Sequence, residues 1–285
     1  MDYKVIIVGA GPAGIFTALT LADQGIKPIL LLELGKDIGE RKRRDVNDML
    51  CGWGGAGAYS DGKLTLSPEV GGLLGEYLEP ASLNQILQTS DKIWVDHGAP
   101  EEIFGEASPQ LEDLADRARL ANLELIPSRI RHIGTENCHV VLDRLRESMV
   151  DRVETRTNCP VESLIAENGC IQGVKLENGE TFTSQFVVAA PGRSGASWMK
   201  RQAESLGLKT QASPVDIGVR VELPAAVLKE ITDIIYESKL IYYSKTFDEK
   251  VRTFCMNPYG EVVIEKTKQV ITVNGHSHSY KTSDN

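Results

Sequence analysis

Residues 3–33 read YKVIIVGAGPAGIFTALTLADQGIKPILLLE, and their order decides the fold. Lys4–Val8 is an apolar run of strand composition. It leads straight into Gly9-x-Gly11-x-x-Gly14, after which a helical pattern continues through Gln24. Gly25 closes that helix, and a second apolar run, Pro28–Leu32, ends at Glu33. Strand, glycine turn, helix and strand in this order form a βαβ unit. Gly9 permits the tight turn. Gly11 lets backbone approach a pyrophosphate with no Cβ in the way, and Gly14 lets the helix pack closely on the strand. The free N–H groups and positive dipole end of the helix favour an anion. Glu33 lies 19 residues past Gly14, where a carboxylate can accept from a ribose diol. The pattern therefore predicts dinucleotide binding, the alternative being an ordinary βαβ unit without a ligand.

An acid at position 33 would repel a ribose 2′-phosphate, which disfavours NADP here. FAD and NAD both remain open on the motif. Pro12 and Ala13 complete Gly-Ala-Gly-Pro-Ala-Gly, a form frequent in FAD-binding proteins. Leu34 is counted with the site as the neighbour of Glu33.

The chain has 285 residues, 41% hydrophobic and 25% charged, which suits a soluble globular protein of one large or two modest domains. The net charge of −9 argues against broad nucleic-acid binding. Cys51, Cys138, Cys159, Cys170 and Cys255 have neither CxxC nor metal-ligand spacing, so reduced thiols, no flavin–disulfide chemistry and no metal site are expected. No secretory signal and no membrane-spanning run is visible, and a cytoplasmic location is the default.

Beyond Glu33, Arg41-Lys42-Arg43-Arg44 is the densest basic cluster. It reads as a solvated face, or as a source of one arginine, Arg41, that reaches the bound phosphates. Residues 52–63, GWGGAGAYSDGK, are glycine-dense and almost without helix or strand periodicity. Such backbone can lie flat against a ligand. Helices are expected over 83–97 with Ser82 as cap, from Ser108-Pro109 to about Leu120, over 135–150, and over 196–206. A short strand is expected at 122–126. Between 153 and 190 the period changes to two, predicting consecutive strands with an Asn178-Gly179 hairpin turn. IGVRVELP, KLIYYSKTF, VRTFCM, EVVIEK and VITVNG predict a second, mostly β region with one helix near 224–236. HSHSYKTSDN reads as a polar tail.

With these residues in view, the sequence resembles the two-dinucleotide-binding-domain flavoproteins, the glutathione-reductase-like FAD superfamily. Within them it is similar to FAD-dependent dehydrogenases that carry a Gly-Gly-Ala-Gly-x-x-Ser-Asp-Gly-Lys-Leu loop, here Gly54 to Leu64. Further matches are His132-Ile133-Gly134-Thr135, Ala189-Ala190-Pro191-Gly192-Arg193-Ser194, Gly218-Val219-Arg220-Val221-Glu222, and Phe254-Cys255-Met256 followed by Asn274-Gly275. The resemblance implies an α/β fold: a Rossmann-like FAD-binding domain in a three-layer ββα arrangement, with a second, mostly β substrate region. The implied borders are 1–80 and 127–207 for the FAD-binding parts, 81–126 for a helical insertion, 208–275 for the substrate region and 276–285 for the tail.

The resemblance also implies the ligand contacts. Gly9, Gly11, Pro12, Ala13 and Gly14 would hold the FAD pyrophosphate, Glu33 the ribose, and Arg41 would assist. Gly54, Gly55, Ala56, Gly57, Ser60, Asp61, Gly62 and Lys63 would line the pyrophosphate and flavin side. Val161 would present its backbone to adenine, and Ala190-Pro191-Gly192 would form a second turn against the cofactor. NAD(P)H is a possible co-substrate. Two departures stand out. Cys255-Met256-Asn257-Pro258-Tyr259-Gly260 replaces Cys-Met-Cys-Pro-Gly-Gly. The family's later Gly-Asp segment is not found, so the chain is expected to be an N-terminal portion.

No protein nucleophile motif is present, so a bound flavin would carry the chemistry. Lys63 is the candidate cation beside the flavin, a structural role being the alternative. Arg220 would bind an anionic substrate or make a salt bridge. His132 reads as a hydrogen-bonded structural histidine. Three functions follow: an FAD-dependent oxidoreductase acting on a small molecule, a catalytically incomplete FAD-binding fragment, or an RNA-modifying flavoprotein. The acidic balance disfavours the third.

Overall fold

In a computed structural model, the structure describes all residues except 43–45, 212–214, 267–269, 282 and 285, with the side chains of 46–47 and 265–266 also outside the description. Arg43 and Arg44 of the basic cluster lie outside the described residues. The chain divides into two compact units, 1–59 with 139–217 and 60–138 with 218–285.

The first unit is built on β1 (Tyr3–Val8), α1 (Pro12–Asp23) and β2 (Ile29–Leu32). Both strands are buried on both faces, as parallel strands covered above and below must be. β1 pairs in parallel with β2, Val5 opposite Ile29 and Val8 opposite Leu32. α2 (Val46–Leu50) follows β2. Beyond α5 (Thr135–Ser148) come β6 (Glu154–Arg156), β7 (Val161–Glu167), β8 (Cys170–Leu176), β9 (Thr181–Ala189) and α6 (Ala196–Ser205). The strand order is β6-β2-β1-β9-β8-β7. β9 is long enough to serve two partners: its second half runs parallel to β1, and residues 181–183 run antiparallel to β8.

The layers follow from the core. Val174 and Leu176 of β8 pack with Ile6, Val8, Leu30 and Leu32, so the β7–β8–β9 meander covers one face of the parallel strands. A Cβ on Gly14 would meet Ile7 Cγ2 at 3.4 Å, which places α1 on the other face. This is a Rossmann-like arrangement with ββα layers, as expected.

Among the described residues, the second unit contains three small sheets. β3 (Lys63–Thr65) pairs antiparallel with β5 (Ile130–His132). β4 (Glu124–Ile126), β10 (Lys239–Tyr243) and β11 (Lys250–Arg252) form a sheet of order β11-β10-β4. β12 (Glu261–Lys266) and β13 (Ile271–His276) form a hairpin. Its helices are α3 (Pro80–Asp96), α4 (Pro109–Leu120) and α7 (Lys229–Ile235).

Several expectations need correction. α3 starts at Pro80 rather than under a Ser82 cap, because proline at the first helical position sacrifices no hydrogen bond. The IGVRVELP strand does not form; Ile217, Val219 and Val221 are 94%, 89% and 66% exposed, so their alternation meets no second layer. The loop at 52–63 is more regular than its composition suggests, with a 3₁₀ turn over Gly55–Tyr59. The tail begins later than 276. β13 runs through His276, and Ser277 is buried, its carbonyl accepting from Thr135 N at 3.2 Å and Thr135 Oγ1 at 2.8 Å. The borders of the compact units fall at 59/60, 138/139 and 217/218, and β3–β5 pairing ties residues 63–65 to 130–132.

Candidate functional site

In the first unit, the turn after β1 is held by backbone alone. Gly9 N donates to Leu32 O at 2.7 Å, and Ala190 N donates to Val8 O at 2.8 Å. Gly9 has φ +105°, and a Cβ there would collide with the Ala190 carbonyl. The segment Ala190-Pro191-Gly192 therefore lies against the turn, with Gly192 exposed at φ +60°. α1 opens with Gly11 as N-cap, no capping side chain and no acid in its first turn. Pro12 and Ala13 are exposed. A helix end left this way offers uncapped N–H donors.

The second glycine stretch meets the first. A Cβ on Gly11 would have one neighbour, Gly55 Cα at 4.0 Å, and a Cβ on Gly55 would sit 3.1 Å from Gly11 Cα. A Cβ on Gly57 would lie 3.7 Å from Pro12 Cγ. Ala56 is half-buried between them. Gly54 N donates to Ala10 O at 2.8 Å, while Gly54 itself packs on Leu142. The result is a shallow trough of bare backbone at a helix N-terminus.

Glu33 is 5% exposed and ties this trough together. Oε2 accepts from Ala10 N at 2.7 Å; Oε1 accepts from Gly35 N and Gly52 N, both at 2.9 Å, and lies 3.7 Å from Cys51 Sγ. A carboxylate has about four acceptor positions, so Oε2 keeps room for a further donor. Leu34 beside it is half exposed. Burial, reinforced by the Glu33 charge, pushes the Cys51 thiol up to about 11. Arg41 is buried, and its fork is turned onto backbone: Nε donates to Asp48 O at 3.2 Å, Nη2 to the same oxygen and Nη1 to Trp53 O. Val161 opens β7 opposite Leu176, beside a register irregularity. Glu162 O there accepts from Trp198 Nε1 at 3.0 Å and Gln202 Nε2 at 3.3 Å.

The remaining site candidates lie in the second unit, so the unit border divides the loop 54–63. Ser60 Oγ accepts from Gly62 N at 3.1 Å, and Gly62 O accepts from Ile133 N at 3.0 Å. Lys63 Nζ lies 3.1 Å from Asp61 Oδ2, donates to Met256 O at 2.7 Å, pairs with Glu237 and sits 3.6 Å from Cys255 Sγ. Burial works against its charge, but Asp61 and Glu237 outweigh it and hold the ammonium above the ordinary lysine value. Glu237 also pairs with Lys239. Asn257 Nδ2 donates to Asp61. Arg220 donates to Cys255 O, Asn257 Oδ1 and Asn274 Oδ1. Next to this cluster, Tyr236 Oη lies 3.1 Å from His132 Nε2 and 2.8 Å from Ser277 Oγ.

Sequence reasoning missed Glu237, Lys239, Tyr236 and the contact of Asn257 with Asp61. Trp53, which already marked the glycine-rich stretch 52–63 as more than a linker, is fully buried. Among the described residues no group of three or more His, Cys, Asp or Glu could hold a metal ion, and no helix is long and apolar enough to cross a membrane.

Comparison with known proteins adds the following. An uncharacterised protein of Clostridium beijerinckii is 28% identical over 312 residues, covering 99% of this chain and 50% of the relative. The tRNA uridine 5-carboxymethylaminomethyl modification enzyme MnmG of Treponema denticola is 27% identical over 194 residues, covering 67% of this chain and 26% of that enzyme. The chain thus spans about half or less of the curated relatives it matches. Among solved structures, glycine oxidase from Bacillus cereus aligns with a TM-score of 0.43 at 14% identity, covering 71% of this chain and 59% of that one. L-Amino acid deaminase from Proteus myxofaciens aligns with a TM-score of 0.43 at 16% identity, covering 73% and 49%. The FAD dependent oxidoreductase family matches residues 4–279, nearly the whole chain, and the protein belongs to that family.

Proposed function

We propose that the first unit seats FAD with its pyrophosphate on the backbone of Gly9–Gly14 and Gly54–Gly57. The protein would then act as an FAD-dependent oxidoreductase on a small molecule. One observation carries the reading. Gly11 and Gly55 face each other with no side chain between them, at a helix end that has neither a capping side chain nor an acid. A Cβ on Gly55 would press on Gly11 Cα at 3.1 Å, and one on Gly11 would enter the open space that a diphosphate needs. The residues present therefore fit the group that family membership implies.

Bound FAD supplies hydride or electron transfer at its isoalloxazine. The chain's own residues do the rest. The α1 N-terminus stabilises phosphate charge. Glu33 keeps one acceptor position on Oε2 for a ribose hydroxyl and repels a 2′-phosphate. Val161 offers backbone to adenine, and Ala190–Gly192 closes the turn. In the second unit, Lys63 and Arg220 are the candidate cations for an anionic substrate. Lys63, Lys239 and Arg220 against Asp61 and Glu237 leave that cluster one positive charge in excess, which favours an anion. The domain roles follow: residues 1–59 and 139–217 bind cofactor, and 60–138 with 218–285 shape the substrate side.

Purified protein titrated with FAD tests this. A flavin spectrum perturbed on binding, abolished by Gly11→Val, supports it; a protein that ignores FAD at every concentration overturns it. A second reading, RNA modification, is favoured by the similarity to MnmG and opposed by the net charge of −9. A tRNA gel shift at low salt separates the two, and no shift removes the second.

A further inference from the structure

Resting on the cradle proposed above, we propose that Arg41 is a positioning residue. It holds the Gly52–Gly55 loop in the shape that receives the diphosphate and does not itself grip phosphate. Its guanidinium donates to Asp48 O through Nε and Nη2, and to Trp53 O through Nη1. These carbonyls bracket the turn from α2 into the glycine loop. One planar fork therefore fixes both ends of that turn, which an ammonium on a flexible stem cannot do. The stem contributes too. Gly52 has φ +108°, and a Cβ there would strike Arg41 Cδ, so the side chain lies flat on the Gly52 backbone. The guanidinium also sits over the Tyr59 ring, 5.0 Å from its centroid, at the far end of the loop.

The other restraints on the loop show what this clamp completes. Gly52 N donates to Glu33 Oε1 at 2.9 Å, Trp53 N to Lys36 O at 2.9 Å and Gly54 N to Ala10 O at 2.8 Å. The Trp53 indole donates to Leu142 O at 3.0 Å, with the Arg146 guanidinium 5.3 Å from the ring centroid. These act on N–H groups or on the indole, and of the loop carbonyls Gly52 O accepts from Gly55 N at 2.8 Å. Arg41 takes up Trp53 O and Asp48 O, carbonyls that a buried turn must also satisfy. Three of its five N–H donors are so used, and the side chain is buried rather than aimed outward.

The test is hydrogen exchange on cofactor-free protein, paired with FAD titration over a salt series, for wild type, Arg41→Met and Arg41→Lys. A positioning role predicts that Gly52 and Gly54 amides exchange at least about tenfold faster in both variants, since a buried charged hydrogen bond is lost. The β1 and β2 amides should exchange as in wild type. FAD affinity should fall at least about tenfold in both, with lysine giving no rescue and the salt dependence unchanged. Unchanged exchange in the loop overturns the proposal. So does rescue by lysine with a flattened salt dependence in Arg41→Met, which marks a phosphate ligand. If wild type binds no FAD, the cofactor reading fails while the exchange arm still decides the role of Arg41. Should Arg41→Met not fold, Arg41→Lys, which keeps the charge and most of the stem, gives the answer.

Discussion

The carboxylate of Glu33 accepts a 2.7 Å hydrogen bond from the backbone N–H of Ala10, 23 residues away. Its other oxygen takes the N–H groups of Gly35 and Gly52. One side chain thus joins the first glycine turn, the end of β2 and the second glycine loop.

Glu33→Gln should therefore weaken the protein as well as its cofactor affinity. A glutamine keeps one acceptor oxygen but turns an NH₂ toward N–H donors. The expected loss is about 1–3 kcal/mol. Thermal unfolding in the absence of FAD measures it, and an unchanged Tm would show that the three bonds contribute nothing.

The Lys63 cluster makes stability depend on pH at both ends. Burial opposes ionisation of Glu237, but Lys63 and Lys239 win and hold its pKa below the ordinary 4.5. Its contribution is complete above pH 4.5 and is lost as pH falls through the depressed native value. Lys63 is raised above 10.5, so its contribution is complete below that pH and is lost as pH rises through the higher native value. Lys63→Met should cost about 1–3 kcal/mol, since Glu237 keeps Lys239 and Asp61 keeps the Asn257 amide, and should remove the alkaline flank while only softening the acid one. Urea midpoints over a pH series test this. Variant flanks as steep as wild type would assign the dependence to other groups.

Histidine 132 should stay neutral below the ordinary imidazole pKa of 6.5. Burial lowers its value, with Asp61 pulling the other way. Protonation then favours the unfolded chain, so stability is complete above pH 6.5 and declines as pH drops. Tyr236→Phe removes a partner of Nε2 and should cost about 1 kcal/mol. A proton NMR titration of the ring is decisive: a midpoint at or above 6.5 contradicts the burial argument.

Thiol reactivity should separate the cysteines. Burial raises Cys51 to about 11 and Cys138 to about 12, whereas Cys170 is exposed. At about pH 8 the thiolate fraction of the first two is negligible. A maleimide should label Cys170 within minutes and reach Cys51 and Cys138 only on unfolding. Peptide mapping that finds Cys138 labelled as fast as Cys170 would mean that Cys138 is not enclosed as described.

What was legible in the sequence was local. The glycine spacing placed the β1–α1 turn, because each glycine answers a constraint within a few residues. Ser108-Pro109 marked the start of α4, where Ser108 Oγ accepts from Leu111 N at 3.2 Å. Period-two alternation located β6 to β9. The same rule failed at 217–221, because alternation records a face prepared for burial and not whether a partner strand covers it.

Elements, turn chemistry and the acid at 33 could thus be read from composition and spacing alone, since they depend on backbone conformation over a few residues. The tertiary structure alone decided what those parts meet. Gly55 comes to Gly11, the Arg41 fork turns inward onto Trp53, and Glu237 arrives from 174 residues away to pair with Lys63. Such contacts depend on where buried charges and unsatisfied carbonyls find their counterparts once the core has formed, and no periodicity along the chain encodes that distance.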